Sequence, residues 1–177
     1  MTAADCTHET LDDGRHRLVF ERRLNHPVER VWAALTEPDQ IEAWLARAEL
    51  EPRAGGRVRL QWLNTDDAEG NQHEQGVVAN GTVAAIDAPR LLELDTDVHG
   101  RLRWELSPDG DRTDLTFTVV LQMPDEHVTE NAAGWHVHLD FLADWLDDAT
   151  RVDWPHWPRE RWEAIHERYA ASMRPIS

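Results

Sequence analysis

A strand that runs directly into a proline-started helix, answered far downstream by one long amphipathic helix, leaves this chain few ways to fold. The first segment is Arg22-Arg23-Leu24-Asn25-His26-Pro27-Val28-Glu29-Arg30-Val31-Trp32-Ala33-Ala34-Leu35-Thr36. Just before it, alternation puts Leu18, Phe20 and Leu24 on one face and Val19, Glu21 and Arg23 on the other, the pattern of a half-buried strand. Arg22 falls on the apolar face, where a charge needs a partner. Pro27 suits the first turn of a helix, because the N–H it lacks would have no intrahelical partner there, and Glu29 lies near the positive end. Val28, Val31, Trp32 and Leu35 then recur at helical spacing. The second segment is Gly134-Trp135-His136-Val137-His138-Leu139-Asp140-Phe141-Leu142. Advancing about 100° per residue, Trp135, His138, Leu139, Leu142, Trp145 and Leu146 share one broad face with Phe141 at its flank, while His136, Asp140 and Asp144 point the other way.

Between the two segments the chain reads as a meander. Thr36-Glu37-Pro38-Asp39 breaks the first helix and starts a shorter one with Ile41, Trp44 and Leu45 as its buried stripe. Strands follow at Val58–Trp62, Gly76–Ile86, Leu91–Val98 and around Leu102, Trp104 and Leu106, with a last strand carrying Leu115, Phe117, Val119 and Leu121. Turn chemistry separates them: Gly55-Gly56, the loop from Asn64 to Gln75, Ala88-Pro89-Arg90, His99-Gly100 and Pro108-Asp109-Gly110-Asp111. A polar linker after Pro124 leads to the long helix. The pattern predicts an α+β chain in which a curved antiparallel sheet wraps one helix.

Length and charge limit the partners. At 177 residues, 41% of them hydrophobic and 29% charged, one folded domain is expected. The expected division is a polar lead-in over 1–16, the main domain over 17–150, and a tail over 151–177 in which a stiff Trp154-Pro155-His156-Trp157-Pro158 turn precedes a helix that packs back on the body. Formal charge is −16, which opposes phosphate backbones and anionic headgroups, so no nucleic-acid or membrane partner is expected. Lysine is absent and every basic residue other than histidine is arginine. The single cysteine, Cys6, can form no internal disulfide; with no signal-like N-terminus and no long apolar run, a cytoplasmic location is expected. Ten histidines invite a metal, but no His-Glu-x-x-His or paired i, i+4 histidines occur, so neither a metal nor another cofactor is expected.

These elements, in this order, resemble the family related to the activator of heat-shock protein 90 ATPase, within the START and birch-allergen-like (SRPBCC) superfamily. The residues that carry the resemblance are Arg22 to Thr36, Glu37-Pro38-Asp39 with Trp44-Leu45, Gly55-Gly56, Gly81 leading to Ile86-Asp87-Ala88-Pro89-Arg90-Leu91, Trp104-Glu105-Leu106, Thr113-Asp114-Leu115-Thr116, and Gly134-Trp135 with His138-Leu139. The resemblance implies a helix-grip fold with two short helices closing one end. It also implies a cavity between sheet and long helix, which superfamily members use to bind lipids, sterols, polyketides or other apolar small molecules, some as cyclases or aromatases. The co-chaperone that gives the family its name has an additional N-terminal domain missing here, so chaperone activation is not expected.

On that reading Leu18, Phe20, Trp62, Trp104, Phe117, Trp135, His138, Leu142 and Trp145 line the cavity, with Arg22 and His138 as its polar groups. His138 can hydrogen-bond a ligand or transfer a proton, or be satisfied within the fold. Arg22 can anchor a carboxylate, or pair with Glu21, Glu29 or an acid on a neighbouring strand. The tryptophans can stack on a planar ligand or simply be core. Three functions follow: binding of a small hydrophobic or aromatic molecule, an enzyme using the same cavity, or an interaction module built on the Trp154–Trp157 tail. Homodimerisation is compatible with the last.

Overall fold

The computed structural model describes residues 6–64 and 76–173. One antiparallel sheet of eight strands carries the architecture: β1 (Thr7–Thr10), β2 (His16–Leu24), β3 (Arg47–Leu50), β4 (Arg57–Gln61), β5 (Val78–Asp87), β6 (Leu91–Thr96), β7 (Gly100–Asp109) and β8 (Arg112–Leu121). Their order across the sheet is β1-β2-β8-β7-β6-β5-β4-β3, so the meander closes by laying its last strand against β2. Among the described residues four α-helices complete the fold: α1 (Val28–Thr36), α2 (Pro38–Trp44), α3 (Val128–Asp148) and α4 (Arg159–Ser172). This is the helix-grip arrangement the sequence predicts. Part of the expected loop, 65–75, lies outside the described residues.

Alternation decides which side of the sheet meets α3. Leu18, Phe20, Leu60, Leu92, Leu102, Leu115 and Phe117 are almost fully buried, and Leu139 and Leu142 fill the space from the helix side. The Pro27 carbonyl accepts the Arg30 and Val31 amides at 3.0 and 3.2 Å, so the proline opens α1 as anticipated. Helix α3 ends where Ala149 takes a left-handed conformation (φ 52°) and Thr150 N–H reaches back to the Asp144 carbonyl.

Three elements differ from the sequence reading. Thr7–Thr10, expected as lead-in, is an edge strand paired to β2; all four residues are exposed, so no alternation marks it. Arg47–Leu50 adds a strand at the opposite edge, too short to show a period. Helix α3 begins at Val128, two turns into the supposed linker, because that stretch buries Val128, Ala132 and Ala133, residues too small to stand out as a stripe.

Helix α4 packs on α3 and covers the face that carries His136, Asp140 and Asp144. Tyr169 is fully buried; its hydroxyl accepts the Cys6 amide at 3.1 Å and meets His136 Nδ1 at 2.6 Å. Arg161 reaches Asp140 and Asp144, both at 3.2 Å. Polar residues of α3 thus meet polar residues of α4 beside the buried Ile165 and Tyr169. Trp154 donates its indole N–H to the Glu42 carbonyl at 3.0 Å and packs near His138 and Phe141.

Two stability effects follow. Tyr169→Phe removes a buried hydroxyl that joins the first strand to the last two helices, and should cost roughly 1–3 kcal/mol in urea unfolding. Ala149→Gly relieves a left-handed alanine at a helix end and should add about 1 kcal/mol in the same assay.

Candidate functional site

The interior between sheet and α3 is closed. Phe20 and Phe117 stack at 6.0 Å, Phe117 and Trp104 at 4.7 Å, and Phe117 meets Trp135 edge-on at 5.0 Å. The void left deep in the core, bounded in part by Leu35, Trp44, Leu60, Leu92 and Trp104, is about 10 Å³. That is at the limit of what one water needs. Of the residues expected to line a cavity, Leu18, Phe20, Phe117 and Leu142 are core, and Trp104 touches only this small void. Trp145 lies elsewhere, with Arg30 and Arg151 over its ring at 5.6 and 5.0 Å and its N–H toward Gln40. Arg22 lies along its own strand, donating to the Glu21 carbonyl at 2.9 Å with its guanidinium 6.0 Å from the Phe20 ring. Neither lines the cleft described next.

An open cleft lies at one end of the grip. Its volume is about 300 Å³, and it is lined by Trp62, Asn64, His99, His127, Glu130, Asn131, Gly134, Trp135 and His138. The structure therefore brings together three of the expected residues, Trp62, Trp135 and His138, and adds others that the sequence reading passed over. His99 is the most consequential addition. It occupies the turn between β6 and β7, which Gly100 makes possible: φ is +66° there, and a Cβ would fall 2.3 Å from the Val120 carbonyl oxygen. Thr96 fixes the same turn, its hydroxyl accepting the His99 amide at 3.1 Å and donating to the Gly100 carbonyl at 2.9 Å. So held, the His99 ring lies 4.3 Å from Trp62 and 5.6 Å from Trp135. The available sequence signal was the turn itself, which reads as backbone chemistry and says nothing about where its histidine points.

The two imidazoles of the cleft differ in what they can do. His138 Nδ1 donates to the Trp44 carbonyl at 3.0 Å, and its Nε2 accepts the Trp62 indole N–H at 3.2 Å. Both nitrogens are used, the tautomer is fixed, and a second proton would face an N–H donor. Packing around the ring drives its pKa down to about 4, against a smaller upward pull from the Trp44 carbonyl. His138 is thus a neutral bracket between strand and helices, with no lone pair left for proton transfer. His99 is also held near 4, by burial first and then by His138 beside it, with Asp97 opposing. Its Nε2 is buried and has no hydrogen-bond partner among the described residues; the same holds for Asn64 Oδ1 and Asn131 Oδ1. At the rim, His127 Nδ1 and Glu130 Oε2 are 2.9 Å apart. Among the described residues no group of three potential ligands could hold a metal ion, and no helix is long and apolar enough to cross a membrane.

Residues 25–147 match the model of the family described as activator of Hsp90 ATPase homolog 1-like protein, and the chain belongs to that family. No curated protein matches it. Among solved structures, CalU16 from Micromonospora echinospora is similar over all of this chain and 99% of its own, with a TM-score of 0.71 and 21% identity. The BPP1335 protein from Bordetella parapertussis covers 96% of this chain and 94% of its own at TM-score 0.66 and 28% identity. DynU16, a protein of the dynemicin biosynthetic locus, covers 78% of this chain and 50% of its own at TM-score 0.63 and 20% identity.

The depressed histidines give a pH signature. Unfolded, each ring titrates near 6.5; folded, each stays neutral down to about 4. The unfolded state therefore binds more protons between these values, so stability falls as pH drops from 6.5 toward 4 and is untouched above that window. The loss should approach roughly 2–3 kcal/mol per ring. Urea titrations of the wild type, His99→Asn and His138→Asn across this range should show a shallower slope in each variant; an unchanged slope would remove these rings from the account.

Proposed function

We propose that this protein binds a small, planar, largely apolar molecule in the cleft walled by Trp62, His99, Trp135 and His138. The observation that carries the reading is a concave site with aromatic walls whose lining residues include buried polar atoms without hydrogen-bond partners. Aromatic rings supply most of the affinity in such sites and a few polar groups orient the ligand. The cleft volume, about 300 Å³, is at the small end of ligand sites, which favours a body of one or two fused rings over a sterol or a long acyl chain. The cavity implied by the family lies between sheet and long helix, where the interior of this chain is filled; the cleft opens at one end of that space. DynU16, a protein of the dynemicin biosynthetic locus, shares the fold.

Neither alternative gains a specific observation. An enzyme was expected to rely on His138, and both nitrogens of that ring are committed to the fold. An interaction module was expected to expose the tryptophan tail, and Trp154 and Trp157 are both half-buried against their own domain.

Gly134 offers a test in which binding and folding move in opposite directions. It lines the cleft from α3, and the nearest atom a Cβ would meet is Trp162 Nε1 at 4.0 Å. Gly134→Leu should raise helix stability by up to about 1 kcal/mol. It should also fill the cleft and weaken binding of naphthalene-sized probes at least tenfold, followed by quenching of tryptophan fluorescence. Undiminished binding in a folded Gly134→Leu protein would rule out this cleft.

A further inference from the structure

The cleft discriminates by the polarity of its unsatisfied atoms, and its charge is one-sided. Among the described residues no arginine lines it, and the chain contains no lysine. Glu130 is the carboxylate at its rim, and the protein around it carries a formal charge of −16. A ligand carboxylate, sulfate or phosphate would enter an acidic field and find no guanidinium to meet it. The unpartnered atoms among the cleft's lining residues are two amide oxygens and one imidazole nitrogen. Asn64 Oδ1 and Asn131 Oδ1 are buried without a donor, and His99 Nε2 is buried with neither donor nor acceptor beside it among the described residues. The Trp62 indole N–H, the obvious donor on that wall, is already spent on His138.

His99 is the best placed of these atoms to read a ligand. Its backbone is fixed by Thr96 and Gly100, and its ring is packed between Trp62 and Trp135, so Nε2 is held in position before anything binds. With its proton on Nδ1, the neutral His99 ring has an Nε2 lone pair free to accept one hydrogen bond. The cost of leaving such a buried atom unpaired is relieved when a ligand brings a donor to it.

Building on the binding site assigned above, we propose that the cleft selects aromatic molecules carrying an O–H or N–H donor and no anionic group, and that His99 Nε2 is the acceptor that selects them. A phenolic hydroxyl and an aryl amine are equivalent here, since each presents a donor in the plane of a ring that stacks on Trp62 or Trp135.

Three probes on one ring system test this: 2-naphthol, 2-methoxynaphthalene and 2-naphthoate, titrated at pH 7.5 into the full chain and into His99→Phe. The phenylalanine keeps an aromatic ring against Trp62 and removes the acceptor. 2-Naphthol should bind about tenfold more tightly than its methyl ether, the value of one net buried hydrogen bond. 2-Naphthoate should bind more weakly than either. In His99→Phe the naphthol-to-ether ratio should fall to about one, with the folded state verified by its unfolding midpoint. In the wild type, two-dimensional NMR of the histidine rings should show the His99 Nε2 signal move with naphthol and stay with the ether. Equal binding of all three probes, or a ratio that survives in His99→Phe, overturns the selection and leaves the site intact. Failure of all three to bind overturns the site and the selection together.

Discussion

A single imidazole, His138, ties the parts of this fold that alternation alone cannot align. Its Nδ1–H is fixed on the Trp44 carbonyl at the end of α2, and its Nε2 takes the Trp62 indole N–H just beyond β4. The long helix is thereby keyed in rotation and in height to both the closing helices and the sheet edge. Apolar packing is non-directional and would tolerate a helix turned by part of a residue. Two hydrogen bonds to opposite ends of one rigid ring would not. The arrangement works only for a neutral imidazole, and the packing that lowers its pKa is the same packing that holds it in place.

That constraint separates what the sequence could reveal from what it could not. The strand–proline–helix segment and the meander were legible because Leu18, Phe20, Leu102, Trp104, Leu115 and Phe117 alternate, and alternation is a direct consequence of burying one face of a sheet. The edge strands Thr7–Thr10 and Arg47–Leu50 were not legible: pairing there is carried by backbone hydrogen bonds, to which side-chain pattern is blind. The partner of His136 was illegible for a related reason. The neighbouring Asp140 and Asp144 mark a polar face, and a polar face is covered here by the equally polar Arg161 and Tyr169 of α4.

The site was legible only in part. Trp62, Trp135 and His138 could be assigned to a common region because they fall on inward faces of elements that the fold brings together. Inward-facing, however, does not distinguish lining from filling. Leu18, Phe20, Phe117 and Leu142 share that property and close the interior, since large rings stacked 4.7–6.0 Å apart leave no room between them. His99 lay outside the reach of periodicity because it belongs to a turn. Its position is set by a glycine with positive φ and a threonine hydroxyl, features that a sequence shows as a turn and only a structure shows as a direction.

The filling of the deep interior also leaves the aromatic cleft at the end of the grip. A sheet of this curvature around one helix can leave a central void or be packed solid, depending on the bulk of its inward residues. With nine tryptophans in the chain, four of them at Trp44, Trp62, Trp104 and Trp135 facing inward, this protein is packed solid at its centre. Where the β6–β7 turn and the first half of α3 diverge, Gly134 and Asn131 replace large apolar residues, and the packing opens. The open end is therefore where the sequence changes from bulky to small and polar. An apolar core gains nothing from asparagine oxygens or an imidazole left unpaired at its edge, whereas a surface that receives a hydrogen-bonding guest gains its selectivity from them.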